Sequence, residues 1–266
     1  MERSGSDRLD SVRVVLLDLD GVLYVEQALV PGAREAVALL RSLGLVLRFV
    51  TNTTSRSRPD TLRKLHRLGI ALDESDLVTP AALAVRHCLE NGWRRASLLV
   101  ADDVKEDFAG LEEDDERPDV VIVGDLGEGF GYDVLNGAFQ RLLAGAELVA
   151  LQKNRYWLKG DGLSLDVGPF VAALEYASGR EAYVVGKPAA GFFDEVLAGA
   201  GSDAGAAAMV GDDVESDIGG ALGAGLAAIL VRTGKYRTEA LETSGLEPTA
   251  VVDSIADVPA LFGALR

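Results

Sequence analysis

The residues best suited to chemistry are aspartates that stand where apolar runs stop. In Asp18-Leu19-Asp20-Gly21 the two carboxylates are spaced i and i+2. An extended chain points both to one side, and Gly21 permits a tight turn beyond them. A calcium loop does not fit. With Gly21 as its sixth position, Leu16 and Gln27 would stand where acidic ligands are required. A second acidic group, Asp212, Asp213 and Asp217, follows the apolar run Ala206 to Val210. Carboxylates gathered this way repel one another unless a cation neutralises them. Hard oxygen donors without His or Cys favour Mg²⁺.

Two further strand ends carry polar residues. Thr51-Asn52-Thr53 offers hydroxyls and backbone N–H groups that can hold phosphate oxygens; the plainer alternative is a helix cap or turn. Gly186-Lys187-Pro188 puts a cation at the end of the run Tyr183 to Val185. It is not a P-loop lysine, because Glu181 stands where that motif needs Gly and Pro188 where it needs Ser or Thr. Gly234-Lys235-Tyr236 fails the same test. Gly124-Asp125 and Asp102-Asp103 also end apolar runs. Five residues after Asp125 comes Phe130 and not a second Asp, and no Gly precedes Asp102, so both are set aside.

These positions require a scaffold that brings strand ends together. Continuous apolar runs alternate with helical patterns: Val12 to Leu17, Leu45 to Val50, Ala206 to Val210 and Ala227 to Val231 read as strands. Pro31 opens a helical segment with Ala36, Val37, Leu40 and Leu43 on one face, and Leu62, Leu65 and Leu68 mark another. Such alternation predicts an α/β fold, a Rossmann-like, doubly wound parallel sheet covered on both faces. Ligands of such sheets bind outside the carboxyl ends of the strands, where all four motifs fall. The middle has its own strands, Ser97 to Val100, Val120 to Val123 and Glu147 to Leu151, and helices over Tyr132 to Leu143 and Phe170 to Ser178. It is read as a smaller α/β domain, residues 80–180, inserted into a core made of 1–79 and 181–266. Residues 1–10 are expected to be disordered, and the acidic run Glu112 to Glu116 to be a solvated loop.

The bulk numbers narrow the function. Of 266 residues, 48% are hydrophobic, enough for a packed core. The net charge of −16 repels nucleic-acid phosphates and anionic membrane surfaces. No nucleic-acid or membrane partner is expected, and a phosphorylated substrate must be captured by a local cation or a metal. Two histidines are too few for a His-built zinc site, and one cysteine, Cys88, excludes an intrachain disulfide. The polar start carries no secretory signal and no run approaches the ~20 residues that span a bilayer, so a cytoplasmic protein is expected.

Taken in order, the four motifs resemble those of the haloacid-dehalogenase superfamily of phosphohydrolases. The match is to the subfamily whose large α/β cap lies between the second and third motifs. Phe49-Val50-Thr51-Asn52-Thr53-Thr54, Gly168-Pro169-Phe170-Val171, Ala173-Leu174-Glu175-Tyr176 and Thr233-Gly234-Lys235-Tyr236 look like one branch of it. The resemblance covers the chain from Val14 to about Leu265. It implies a phosphatase that hydrolyses small phosphorylated metabolites through an aspartyl-phosphate on Asp18. Their class is phosphate esters, with pyrophosphate and phosphoamidates to be tested beside them. Asp20 would serve as general acid and base, and Asp18, the Asp20 backbone carbonyl and Asp212 would hold Mg²⁺. Asp213 and Asp217 would orient bound waters or Lys187. Thr51 and Lys187 would bind phosphoryl oxygens, with Asn52 and Thr53 lining the pocket. Dimers through the cap are a further implication. Within the cap, Lys153, Arg155, Tyr156, Trp157 and Lys159 cluster in an otherwise acidic chain. Arg155 and Trp157 are expected to read the leaving group, the alternative being an exposed hairpin. A phosphotransferase or mutase, or a low-turnover phosphate-binding regulator, are the rival functions. A dehalogenase is disfavoured, since it needs neither Mg²⁺ nor a proton donor at Asp20.

Overall fold

Every residue of the strands Val14–Asp18, Ala207–Gly211 and Ala227–Val231 is buried. Such strands have no face to offer water, and helices must cover both sides of their sheet. The structure, a computed structural model, describes residues 5–159 and 162–263. In it the three strands belong to a six-stranded parallel sheet. Its order is Ala250–Val252, Ala227–Val231, Ala207–Gly211, Val14–Asp18, Val46–Val50 and Leu77–Val78. The chain starts near the centre, builds out to one edge, then returns to build the other. This is the doubly wound, Rossmann-like α/β order, and it creates a topological switch beside Val14–Asp18. Register does the rest: Asp18 lies opposite Val50 and Leu17 opposite Val210. Thr51 and Asp212 therefore leave the sheet close to the level at which Asp18 ends its strand.

The helices around this sheet follow the apolar periodicity. Ala33–Ser42 buries Ala33, Ala36, Val37 and Leu40, and Leu65 anchors Arg58–Arg67 in the same core. Residues 5–10, expected to be disordered, form a helix whose Leu9 joins that core. Residues 1–4 lie outside the described residues.

The chain divides into two units. One holds Met1–Thr51, Leu62–Val78 and Lys187–Arg266; the other holds Asn52–Thr61 and Thr79–Gly186. The second has a five-stranded parallel sheet in the order Tyr183–Val184, Glu147–Ala150, Val120–Val123, Arg95–Leu99 and Glu112–Glu113. Its own core gathers Val121, Val123, Leu142, Leu148, Val171 and Leu174. Tyr132–Leu143 and Gly168–Ser178 are helical, and so is Pro80–Glu90, capped by the Thr79 hydroxyl accepting from Ala82 N at 3.4 Å.

Three expectations change here. Residues 181–186, assigned to the core, belong to the second unit, because Tyr183–Val184 pairs with Val149 and Ala150. Residues 52–61 also belong there. The Ser57 hydroxyl donates to Glu106, Arg58 N donates to the Asp107 carboxylate at 2.9 Å, and Asp125 N donates to the Thr54 hydroxyl at 3.1 Å. The acidic run is not all loop. Glu112–Glu113 is an edge strand on Arg95–Ala96, and Asp115 accepts from the buried Ser97 hydroxyl at 2.6 Å.

Candidate active site

The switch point of the first sheet collects the acidic motifs around one ammonium. Lys187 follows the second unit's last strand and is 2% exposed. Its Nζ lies 2.5 Å from Asp18 Oδ1 and 2.7 Å from Asp217 Oδ1. Burial alone would lower the Lys187 pKa, but Asp18 and Asp217 outweigh it and raise it above the ordinary lysine value. A buried ammonium between two carboxylates stays charged at any physiological pH.

The carboxylates outnumber the cation. Asp18, Asp212 and Asp217 are all buried, and each offers an oxygen within 4.8 Å of the others. Burial pushes Asp18 well above the usual carboxylate range; Lys187 opposes this, while Asp217 and Asp212 add to it. Burial, then the neighbouring Asp217 charge, push Asp212 up to about 7. Ionised together, three carboxylates against one ammonium would leave a buried surplus of negative charge. A small, hard divalent cation would offset it and restore the ionised state of Asp18 and Asp212. The donor set thus fits Mg²⁺.

The surrounding backbone closes tightly on Asp212. Gly21 and Gly234 have φ of +87° and +60°, and a Cβ on either would lie 1.9 Å from Asp212 Oδ2. Only glycine tolerates both the left-handed backbone and that approach. Lys235 N donates to Asp212 Oδ2 at 2.6 Å, and the Thr233 hydroxyl donates to the Gly21 carbonyl. The segment Thr233 to Lys235 thus ties the turn after Asp18 to the strand end that carries Asp212. Sequence reading noticed Gly234-Lys235-Tyr236 only to reject it as a P-loop and to count it as a branch mark. Its positioning contacts are tertiary and have no local signal.

The remaining predicted residues fall into three groups. Asp217 Oδ2 accepts from Asp213 N at 3.2 Å, so it holds both Lys187 and the turn. Asp213 caps the helical turn that follows, accepting from Glu215 N and Ser216 N at 3.0 Å, and pairs with Lys235 Nζ at 3.3 Å. Burial would raise the Asp213 pKa, but Lys235 and those two backbone N–H groups together outweigh it and hold the carboxyl below its ordinary value. Asp20 accepts from the Tyr24 phenol at 3.2 Å, and Thr51 is buried at its strand end. Asn52, Thr53, Arg155 and Trp157 belong to the second unit. Arg155 and Trp157 stand at a two-stranded hairpin, Tyr156–Lys159 paired with Gly162–Leu165, on which Tyr156, Trp157, Leu163 and Leu165 are exposed. Residues 160 and 161 and the side chain of Lys159 lie outside the described residues. Lys153 is committed to Glu175 at 2.7 Å.

The discarded candidates have structural roles. Asp125 accepts from Gly127 N at 2.8 Å in a local turn, and Asp102 is almost fully exposed. Burial lifts the Cys88 thiol to about 11, which leaves it inert as a nucleophile at neutral pH. His66 lies 3.0 Å from the Leu72 carbonyl and His87 stacks on Tyr183, and neither belongs to the carboxylate cluster. Among the described residues no helix is long and apolar enough to cross a membrane.

Comparison with known proteins agrees with this geometry. Residues 15–112 match a family described as haloacid dehalogenase-like hydrolase, and residues 184–258 match one described as HAD-hydrolase-like. The human haloacid dehalogenase-like hydrolase domain-containing protein 2 is 44% identical over 244 residues, 92% of this chain and 93% of that protein. The human phospholysine phosphohistidine inorganic pyrophosphate phosphatase is 41% identical over 256 residues, 94% of each chain. Among solved structures, a 4-nitrophenylphosphatase from Thermotoga maritima superposes with a TM-score of 0.89 at 29% identity, covering 97% of this chain and 99% of that one. Strand-end motifs, sheet order and sequence likeness along almost the whole length converge: the chain belongs to the haloacid dehalogenase-like hydrolases.

Proposed function

We propose that this hydrolase is a Mg²⁺-dependent phosphatase of small phosphorylated metabolites that works through an aspartyl-phosphate on Asp18. One observation carries the reading: a buried carboxylate, Asp18, is paired at 2.5 Å with a buried lysine and crowded by two more carboxylates. That combination suits a nucleophile whose target brings negative oxygens and needs a cation. Two of the similar proteins are named as phosphatases, one of them for pyrophosphate and phosphoamino acids, which supports the same reaction class.

In the first step an Asp18 oxygen bonds to phosphorus as the bond to the leaving oxygen breaks. The Asp20 carboxyl gives its proton to that oxygen. In the second step water attacks phosphorus, Asp20 takes the water's proton, and the bond to Asp18 breaks, releasing phosphate. Lys187 and the Thr51 hydroxyl hold phosphoryl oxygens, and Asp217 keeps Lys187 in place. Asp18, the Asp20 carbonyl and Asp212 would hold Mg²⁺, which supplies charge neutralisation for the phosphoryl group. Asn52 and Thr53 are proposed to contact the same substrate.

The metal dependence is directly testable. Chelation should silence the enzyme and Mg²⁺ should restore it. Asp212→Ala should raise the Mg²⁺ concentration for half-maximal activity by at least about ten-fold, because a direct ligand is lost. Activity that ignores the chelator would refute the metal site.

Substrate choice is assigned to Arg155 and Trp157. Replacing both by Ala should shift relative rates among phosphate esters, pyrophosphate and phosphoamidates by about ten-fold, the size of a few lost leaving-group contacts. Hydrolysis of p-nitrophenyl phosphate should change much less. A uniform drop, or none, would instead favour a hairpin with no part in recognition.

A further inference from the structure

The loop that carries Asp20 folds back on itself through a residue the proposed mechanism does not use. Gly21 N donates to the Tyr24 carbonyl at 2.7 Å, Leu23 N donates to the Leu19 carbonyl at 2.9 Å, and Tyr24 pairs with Leu29 in a small hairpin. This geometry buries the Tyr24 ring, at 2% exposure, and aims its phenol O–H at Asp20 Oδ2, 3.2 Å away. Over the face of the same ring, 3.4 Å from its centroid, sits the Nζ of Lys64. Lys64 is 4% exposed, although it comes from a helix whose other cations are mostly at the surface. Burying an ammonium is costly unless its surroundings favour the charge, and an aromatic face in a dry setting does so.

We propose that Tyr24 is a positioning residue for Asp20, with Lys64 fixing the ring and strengthening its O–H as a donor. The terminal torsion of an aspartate is soft, so an unheld carboxylate samples a wide arc. A hydrogen bond to one oxygen narrows that arc, and a proton donor works only when it stays in line with the leaving oxygen. The cation beside the ring polarises the phenol toward donation. The inference rests on the reading of Asp20 as general acid and base. It adds that this carboxylate is held by a buried aromatic–lysine pair.

Tyr24→Phe keeps the ring, its packing and its contact with Lys64, and removes only the O–H. It should lower kcat for an alkyl phosphate by about ten-fold, the usual worth of a hydrogen bond to a charged group. KM should stay within about two-fold, since no substrate contact is lost. Lys64→Met should give the same pattern at about three-fold, the loss of a moderate cation–π contact. Thermal melting of both variants, measured alongside, separates positioning from unfolding. The decisive comparison is made in the Asp20→Asn background, following breakdown of the phosphoenzyme. There Tyr24→Phe should change nothing further, because its effect passes through the Asp20 carboxylate. Wild-type kcat for Tyr24→Phe, or a loss that persists undiminished without Asp20, would overturn the proposal while leaving Asp20's role intact. Wild-type activity for Asp20→Asn alone would overturn the underlying assignment as well.

Discussion

Asp18→Asn should abolish turnover, by roughly 10⁴-fold or more, the scale on which removal of a nucleophile is felt. The amide has the shape of the carboxylate and can still accept from Lys187 Nζ, which lies 2.5 Å from Oδ1 in the parent. What it lacks is the negative charge and the electron pair that must attack phosphorus. The fold should not suffer. Lys187 keeps Asp217 at 2.7 Å, and the substitution removes one of three crowded carboxylates. Burial, opposed by Lys187, raises the Asp18 pKa in the folded protein. The folded state therefore retains a proton that the unfolded chain releases. Stability falls as pH rises from the ordinary carboxylate value through the raised one. In metal-free protein at neutral pH the Asn variant should melt no lower than the parent. Rapid-quench trapping with labelled substrate should find no phosphoenzyme in the variant. Residual hydrolysis above a few per cent of wild type, with the label still on protein, would sink the assignment of Asp18.

Much of the candidate site is legible in the sequence, for a physical reason. A strand of a doubly covered parallel sheet is apolar throughout, so its first polar residue marks where the strand leaves the core. Asp18, Thr51 and Asp212 each stand at such a break, and register makes neighbouring breaks meet. Lys187 was found by the same rule, but its strand was placed in the wrong sheet. Tyr183–Val184 pairs with Val149 and Ala150, and a short apolar run carries no mark of which parallel sheet it joins. The assignment of residues 52–61 failed for a related reason. Ser57 meets Glu106 and Arg58 N meets Asp107 across 49 positions, and side-chain pairing at that range leaves no periodicity. Tyr24, Thr233 and Lys235 gave no such signal, because their contacts, with Asp20, the Gly21 carbonyl and Asp212, form only in the folded chain. Only the folded turn shows that the Tyr24 phenol, four residues on, reaches back to Asp20.

Asp20→Asn should separate the two half-reactions. General-acid help matters most when the leaving group is poor, as an alkoxide is. p-Nitrophenolate departs without a proton, so with that ester the attack by Asp18 should survive the substitution comparatively well. The second step always needs a base to activate water, and the amide supplies none. Each half of the role is typically worth about 10²–10⁴-fold in rate. The variant should release a burst of nitrophenolate near one equivalent per site and then stall. Phosphoenzyme should accumulate, and it should be labile in alkali, as acyl phosphates are. With an alkyl phosphate the burst should shrink or vanish, because the first step then lacks its proton. The Tyr24 phenol can donate to the amide oxygen as it does to Asp20 Oδ2, at 3.2 Å in the parent, so the loop should keep its shape and the loss should be chemical. Slow, linear nitrophenolate release with no trapped phosphoenzyme would show that Asp20 is not the base for dephosphorylation. Its place two residues after Asp18 would then be owed to its backbone carbonyl at the metal, and its carboxylate would have no part in the proton transfers.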